Sequence, residues 1–275
     1  MIYKSYADIC REVNDWSSQL PDFAGVCGIP RAGSLIAYLL SAHRNCQLIA
    51  WNDLLNKNET WKQSLRRNCP GVDGTILVVD DTIAAGNQFR QAREQLKNSP
   101  YHIKYGAYFA MSKSIADIDY YYTNVGNEDH LFEFNVFHHW ATQAIATDLD
   151  GVISEDWNYL YETGDLTEKY KNHLENGRCL IRPTFDLGAI VTGRLEIHRE
   201  TTERWLDKNG IKYRQLVMYP ASSPDKRGNV GAWKGELYRQ SNAYLFIESC
   251  PNQSKLIRQI SNRPVLDWTS QKFFN

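Results

Sequence analysis

Charge of one sign is nowhere in excess: 31 Lys and Arg stand against 32 Asp and Glu, for a formal net charge of −1. That balance gives no electrostatic case for sequence-independent nucleic-acid binding or for attraction to an anionic membrane surface. Long hydrophobic runs are also missing. The most apolar N-terminal stretch, Val26 to Ala42, is interrupted by Pro30 and Arg31, so no integral membrane segment is expected. The opening MIYKSYADICREV lacks the basic-then-apolar layout of a secretory signal, and a cytoplasmic location is the expectation. The six cysteines (Cys10, Cys27, Cys46, Cys69, Cys179 and Cys250) form no CxxC pair, and no Cys/His spacing fits a zinc site. In a chain of this size they read as free thiols rather than a disulfide framework. No low-complexity tract and no short fixed-period repeat occurs.

What is present is a globular composition, with 43% apolar and 23% charged residues over 275 positions, enough for two cores. Up to about Tyr122 strand-like and helix-like runs alternate. Ala24 to Ile29 is a short apolar run; Leu35, Ile36, Leu39 and Leu40 recur at helical spacing; Cys46 to Ala50 and Thr75 to Val79 read as strands. Phe89 to Leu96 has helical character and Ile103 to Met111 is again strand-like. Between the strands at Cys46–Ala50 and Thr75–Val79, Trp51 to Gly74 is polar and reads as an exposed loop with a helical piece. The series restarts at Ala144, with strands at Ile145–Thr147, Leu187–Val191, Gln215–Met218 and Tyr244–Ile247, and a charged helix from about Glu196 to Lys208. The expected fold class is therefore α/β, with two domains, each a mostly parallel sheet flanked by helices. The expected boundary lies near 138–143, dividing residues 1–140 from 141–275.

Ligands of open parallel sheets bind at the carboxyl ends of strands. The run from Ile76 to Gln88 puts Asp80 and Asp81 at such an end, before a loop with Gly86 that enters a helix. The loop can aim backbone N–H groups at a phosphate, and the acids can hold ribose hydroxyls or a Mg²⁺ ion. Alone, such a run also reads as a solvated turn capping a helix. A second strand-to-helix turn, Gly28-Ile29-Pro30-Arg31-Ala32-Gly33-Ser34, can bring amides and one guanidinium against a pyrophosphate.

Together these runs resemble the type I phosphoribosyltransferase family over roughly residues 1–140. The resemblance implies that Asp80 and Asp81 contact the ribose hydroxyls of phosphoribosyl pyrophosphate. It places the 5-phosphate in the loop of Thr82, Ala84, Ala85, Gly86, Asn87 and Gln88. The pyrophosphate falls to Arg31, Ala32 and Gly33. The polar stretch Asn52–Pro70, with Lys57, Lys62, Arg66 and Arg67, sits where that family has a mobile loop. Ala85 and Gln88 stand where the family usually has hydroxyl residues, so two side-chain donors are missing.

In the second half, Ile145-Ala146-Thr147-Asp148-Leu149-Asp150-Gly151 places two carboxylates two residues apart at a strand end. The first can attack phosphorus while the second moves a proton to and from the leaving oxygen. Gly151 permits a sharp turn, and Mg²⁺ would bring the two anions together. A calcium-type acidic loop or a capping turn would show the same short run. Its downstream partners make residues 141–275 resemble the haloacid-dehalogenase-like phosphatases. That resemblance implies that Thr192, in Thr192-Gly193-Arg194, holds the transferring phosphoryl group. Lys234 is the neutralising cation, with Lys226 the weaker candidate. Asp148, the backbone carbonyl of Asp150 and Glu248 are the Mg²⁺ ligands, although Ser249 stands where many relatives carry a further carboxylate. Only about 40 residues separate Asp150 from Thr192, which implies little or no cap and a site open to bulky substrates.

Phosphoribosyl transfer leaves a 5-phosphate that a phosphatase can remove, and the sum is ribose transfer. The acceptor is either a polysaccharide sugar hydroxyl, which the open second site favours, or a nucleobase. A non-catalytic sensor of phosphoribosyl pyrophosphate or a nucleotide, regulating the phosphatase, is the third possibility. Trp16, Trp51, Trp61 and Trp140 could pack in a small hood or stack on a base or sugar face. The oligomeric state stays open.

Overall fold

Branched apolar runs bounded by Gly, Pro and Asp become the central strands of two sheets, and the amphipathic runs between them become the covering helices. The computed structural model describes residues 1–58, 74–157, 166–223, 226 and 228–275. The chain divides into two units, Ile2–His130 and Leu131–Asn275, the latter with Met1.

The first unit contains β1 (Ile2–Lys4), α1 (Tyr6–Gln19), β2 (Gly25–Gly28), α2 (Gly33–Arg44), β3 (Gln47–Ile49) and α3 (Trp51–Leu55). It continues through β4 (Thr75–Ile83), α4 (Asn87–Leu96), β5 (His102–Met111) and β6 (Tyr120–Gly126). Five strands form one sheet in the order β3-β2-β4-β5-β6, with every pairing parallel. α1 opens on a capping box in which Ser5 and Asp8 each accept from the other's backbone N–H. Phe89, Ala92 and Leu96 of α4 pack on Ile76, Val78 and Tyr105 of the sheet. Trp16 is buried, Trp51 is half-buried against this core, and Trp61 lies outside the described residues.

β7 (His130–Phe132) leads into the second unit, where the elements are β8 (Ile145–Thr147), α5 (Leu166–Asn176), β9 (Leu187–Leu195), α6 (Arg199–Lys208) and β10 (Tyr213–Tyr219). α7 (Val230–Gln240), β11 (Leu245–Glu248), α8 (Pro251–Ser261), β12 (Val265–Asp267) and β13 (Lys272–Phe274) complete it. The sheet order is β10-β9-β8-β11-β12-β13, parallel except for the terminal β12–β13 pair. The segment before β8 belongs to this unit: the Phe137 carbonyl accepts from Thr184 N–H at 3.0 Å, and its ring meets Trp268 edge-on. Trp140 is exposed. Among the described residues no helix is long and apolar enough to cross a membrane.

Two strands run further than their apolar runs. β4 does not stop at Val79: pairing with the long β5 carries it through Asp80, Thr82 and Ile83. β9 likewise extends through Thr192 to Leu195, because β10 offers Met218 and Tyr219 as partners. The chemistry-bearing residues are thereby held by a sheet ladder rather than by a loose turn.

Gly33 explains the spacing of the first turn. A β-carbon there would lie 2.5 Å from the Val79 carbonyl oxygen and 3.0 Å from Asp80 Cα, backbone that cannot step aside. Gly28 is as tightly held, since its β-carbon would meet the Gly33 carbonyl oxygen at 2.4 Å. Gly33→Ala should therefore destabilise the first unit by about 1–3 kcal/mol, as overpacking does. A urea unfolding curve of the full chain should show its midpoint fall; an unchanged midpoint would mean that the turn does not pack against β4 in this way.

Candidate active sites

In the first unit two strand-to-helix turns meet at the carboxyl end of the parallel sheet. β2 and β4 are neighbours, with Gly28 paired to Val79, and Ile29 N–H donates to the Val79 carbonyl at 2.8 Å. The turn after β2 is thus laid against the end of β4. Arg31 is exposed, the Pro30–Arg31 peptide is cis, and Ala32 precedes α2 at its N-cap position. Gly33 brings the start of α2 onto Asp80.

Asp80 is 3% exposed, and its Oδ1 accepts from Asp81 N–H at 2.9 Å. Burial, and then the neighbouring Asp81 carboxylate, push its carboxyl up to about 9. Burial raises Asp81 as well. These two adjacent acids, Asp80 buried and Asp81 half-buried, form a place prepared for a hydroxyl donor or a positive charge.

The loop after β4 is pinned from behind. Ser114 Oγ donates to the Ala84 carbonyl at 2.5 Å, and Arg90 donates to the Ala85 carbonyl at 2.9 Å. Gly86 has φ 72° and caps α4, a left-handed conformation that favours glycine. Ala84, Ala85, Asn87 and Gln88 are exposed at the mouth of this loop. Thr82 is fixed differently, its Oγ1 lying 3.1 Å from His130 Nε2. Of the basic residues expected in the neighbouring loop, Lys57 is described, while Lys62, Arg66 and Arg67 fall outside the described residues.

In the second unit β8 sits centrally, and Asp148 follows it directly. Asp148 Oδ1 accepts from Leu149 N–H at 2.8 Å, which fixes the carboxylate. Its Oδ2 lies 2.8 Å from Lys234 Nζ, and the same ammonium lies 2.7 Å from Glu248 Oε2. Glu248, at the end of β11, spends Oε1 on the amides of Ser249 and Cys250 at 3.0 and 3.1 Å. All three side chains are almost fully buried. Burial and then the Glu248 charge hold Asp148 well above the usual carboxylate range, while Lys234, despite burial, is raised by the two acids. Lys226, the other candidate cation, is exposed, with Nζ 3.4 Å from Ser222 Oγ.

Asp150 is gripped from the opposite side. Arg194 Nε lies 3.1 and 3.0 Å from its two oxygens and Nη2 lies 2.6 Å from Oδ1. Burial works upward on this carboxyl, but Arg194 and the nearby His173 outweigh it and take it down to about 2. Gly151 has φ 78°, and a β-carbon there would sit 2.5 Å from Ser249 Cβ. Ser249 Oγ in turn donates to the Asp150 carbonyl at 2.9 Å. Thr192 is fully buried on β9, its Oγ1 accepting from Arg194 N–H at 3.1 Å. Asp148, Asp150, Gly193, Arg194 and Lys234 line one cavity of about 380 Å³.

The donor set suits a hard divalent cation. Among the described residues no three His, Cys, Asp or Glu side chains converge on a metal position. What is offered is two carboxylates, of Asp148 and Glu248, and the Asp150 carbonyl, with one lone pair left beside Ser249. Two buried carboxylates share one ammonium, and Gln253, whose buried Oε1 has no hydrogen-bond partner, also lines this cavity. Mg²⁺ keeps several waters, so a small protein set of oxygens fits it.

No family model matches the chain, and no curated protein matches it. Among solved structures it is similar to the Helicobacter pylori xanthine-guanine-hypoxanthine phosphoribosyltransferase, at 15% identity over 49% of this chain and 92% of that one, TM-score 0.38. A purine phosphoribosyltransferase from Pyrococcus horikoshii Ot3 gives 17% identity over 48% of this chain and 91% of that one, TM-score 0.35. A chain of the Pnkp1/Rnl/Hen1 RNA repair complex gives 12% identity over 96% and 94%, TM-score 0.34. Likeness at this depth identifies no family.

Removing Lys234 would strand two buried carboxylates. Lys234→Met should cost about 3–5 kcal/mol near pH 7, the range for a broken buried ion pair. Without the ammonium, burial holds Asp148 still higher in the folded chain than in the unfolded one. The added loss is therefore absent below the unfolded carboxylate pKa, grows as pH rises above it and is complete above the folded value. Chemical unfolding of wild type and variant should show the smaller gap near pH 5; a gap that is equal at pH 5 and pH 8 would contradict the charge arrangement.

Proposed function

We propose that the chain is a bifunctional enzyme that transfers ribose 5-phosphate from phosphoribosyl pyrophosphate to an acceptor and then removes the 5-phosphate. The single observation that carries this is the buried Asp148–Lys234–Glu248 cluster, with Asp150 held two residues on, at the carboxyl end of one parallel sheet. A phosphoryl-transfer site follows from that chemistry. The paired acids Asp80 and Asp81, beside two helix-entering turns, supply a sugar-phosphate site on the other sheet.

In the first unit Asp80 and Asp81 would accept the ribose 2- and 3-hydroxyls, the amides from Thr82 to Gln88 would receive the 5-phosphate, and Arg31 with Ala32 and Gly33 the pyrophosphate. The bond from C1 to pyrophosphate breaks and a bond from C1 to the acceptor forms, with loss of the acceptor's proton. In the second unit the Asp148 carboxylate attacks phosphorus, and water later cleaves the resulting acyl phosphate. Lys234 holds Asp148 against the incoming phosphate anion, and the Thr192 segment receives the phosphoryl group. Asp150, ionised in the free site, suits the second half-reaction, in which it takes a proton from water. In the first, the substrate phosphate competes for Arg194, and Asp150, so released, takes up the proton of the substrate's phosphate monoanion and passes it to the leaving oxygen as the P–O bond breaks. Mg²⁺ held by Asp148, Glu248 and the Asp150 carbonyl would supply charge neutralisation for phosphate beside carboxylate.

A sugar hydroxyl is the acceptor we favour, because the short Asp150-to-Thr192 insertion suits a bulky first product; a nucleobase is the competitor. One observation favours a second possibility, that the first unit only senses its ligand: the exposed Ala85 and Gln88 add no hydroxyl to the phosphate loop. Release of pyrophosphate from phosphoribosyl pyrophosphate separates transferase from sensor.

Asp148→Asn should abolish hydrolysis of a generic phosphomonoester, by several orders of magnitude, with the fold retained; more than a tenth of wild-type turnover would sink the nucleophile assignment. The double substitution Asp80→Asn with Asp81→Asn should eliminate calorimetric binding of phosphoribosyl pyrophosphate and spare the phosphatase. Unchanged affinity would remove the sugar-phosphate site from the account.

A further inference from the structure

Outside the carboxylate cluster, the same cavity has a wall that the chemistry above does not use. Trp157 and Tyr170 line it together with the phosphate-handling residues, as does the exposed Asp156. Their ring centroids are 5.6 Å apart, and Tyr170 meets His198 edge-on at 5.6 Å. Behind them stands His173, one helical turn from Tyr170 on α5 and therefore on the same face. It is buried, with its ring 5.3 Å from Trp157 and 6.4 Å from Tyr170. Its Nε2 lies 4.0 Å from Asp150 Oδ1. The wall is therefore tied to the site through a buried residue rather than left as a loose surface patch.

Resting on the phosphatase assignment above, we propose that Trp157 and Tyr170, whose planes are tilted by 60°, form a carbohydrate-binding corner, so that this site takes a phosphate borne on a sugar ring, with the ring stacked on one aromatic and edged by the other. Three observations support this. An aromatic face carries negative quadrupole charge and attracts the slightly positive C–H face of a sugar ring. The exposed Asp156 offers an acceptor to ring hydroxyls, which an aryl phosphate would leave unused. The cavity, about 380 Å³, lies toward the small end of ligand pockets, with room for a phosphate and one ring while the rest of a large acceptor stays outside. The first ring met outward from a 5-phosphate is the ribose itself.

The test uses the full chain carrying Asp148→Asn, so that ligands bind without turnover. The two probes are methyl ribofuranoside 5-phosphate and glycerol 3-phosphate, which share the phosphate and differ in the ring. Calorimetry should show Trp157→Ala and Tyr170→Ala each lowering affinity for the ring-bearing probe about five- to tenfold, with the open-chain probe changing less than twofold. Tyr170→Phe, which keeps the ring, should restore the preference, and this guards against a variant that merely fails to fold. Equal losses for both probes, or no loss for the ring-bearing one, would overturn the carbohydrate-binding corner. Wild-type hydrolysis of both probes alongside that result would leave the phosphatase standing and overturn the corner alone. Wild-type protein that hydrolyses neither probe would overturn both.

Discussion

The Lys234 ammonium between Asp148 and Glu248 is the interaction on which the second unit depends. Three charges are taken out of water there, and each would be costly alone. They become tolerable because three elements bring them to one point: the end of β8, the end of β11, and the middle of α7. Parallel strands deliver both acids at the same edge, and α7, packed on α8, delivers the cation from the side. The arrangement still carries one more negative charge than positive, and the remaining imbalance is what a metal ion or a protonated carboxyl would relieve. Arg194 performs the same service for Asp150, so the two acids two residues apart have opposite tendencies: Asp148 is pushed up and Asp150 pulled down.

The first unit follows a related rule with a different outcome. Asp80 is buried beside the half-buried Asp81, and no comparable buried ammonium holds them among the described residues. They are kept in place by the β4–β5 ladder, by the Gly33 contact, and by the pinned carbonyls of Ala84 and Ala85. A carboxyl raised to about 9 is one whose charge waits for a ligand. The backbone supplies rigidity, and the partner for the charge is left to come from outside.

Much of this was legible in the sequence, because strand ends were marked by acids and glycines. The alternation of apolar runs reported two parallel α/β sheets, and the motifs from Asp80 to Gln88 and from Asp148 to Gly151 fell where sheets place their ligands. The strand ends were misjudged because apolar runs stop where burial stops, whereas β4 and β9 continue as long as a neighbour offers backbone partners. Short strands such as β12 and β13, with three residues each, carry too little periodicity to read. His130, Arg90 and Gln253 had no signal at all. Their importance comes from contacts made in three dimensions, as when His130 reaches Thr82 from 48 residues away. Arg194 closed the recognised run Thr192-Gly193-Arg194 without a role of its own, because its grip on Asp150 depends on the turn at Gly151, which only the fold supplies.

Two sheets, each with acids at the carboxyl edge, fit the proposed chemical sequence, in which one site would leave a phosphate on its product and the other would remove it. The most direct measurement is the mass of the product formed from phosphoribosyl pyrophosphate and a glycan acceptor, compared between wild type and Asp148→Asn. The account requires ribose alone on the acceptor with wild type, and ribose 5-phosphate on the same acceptor with the variant. Identical products from both proteins, each still carrying the phosphate at saturating Mg²⁺, would contradict it.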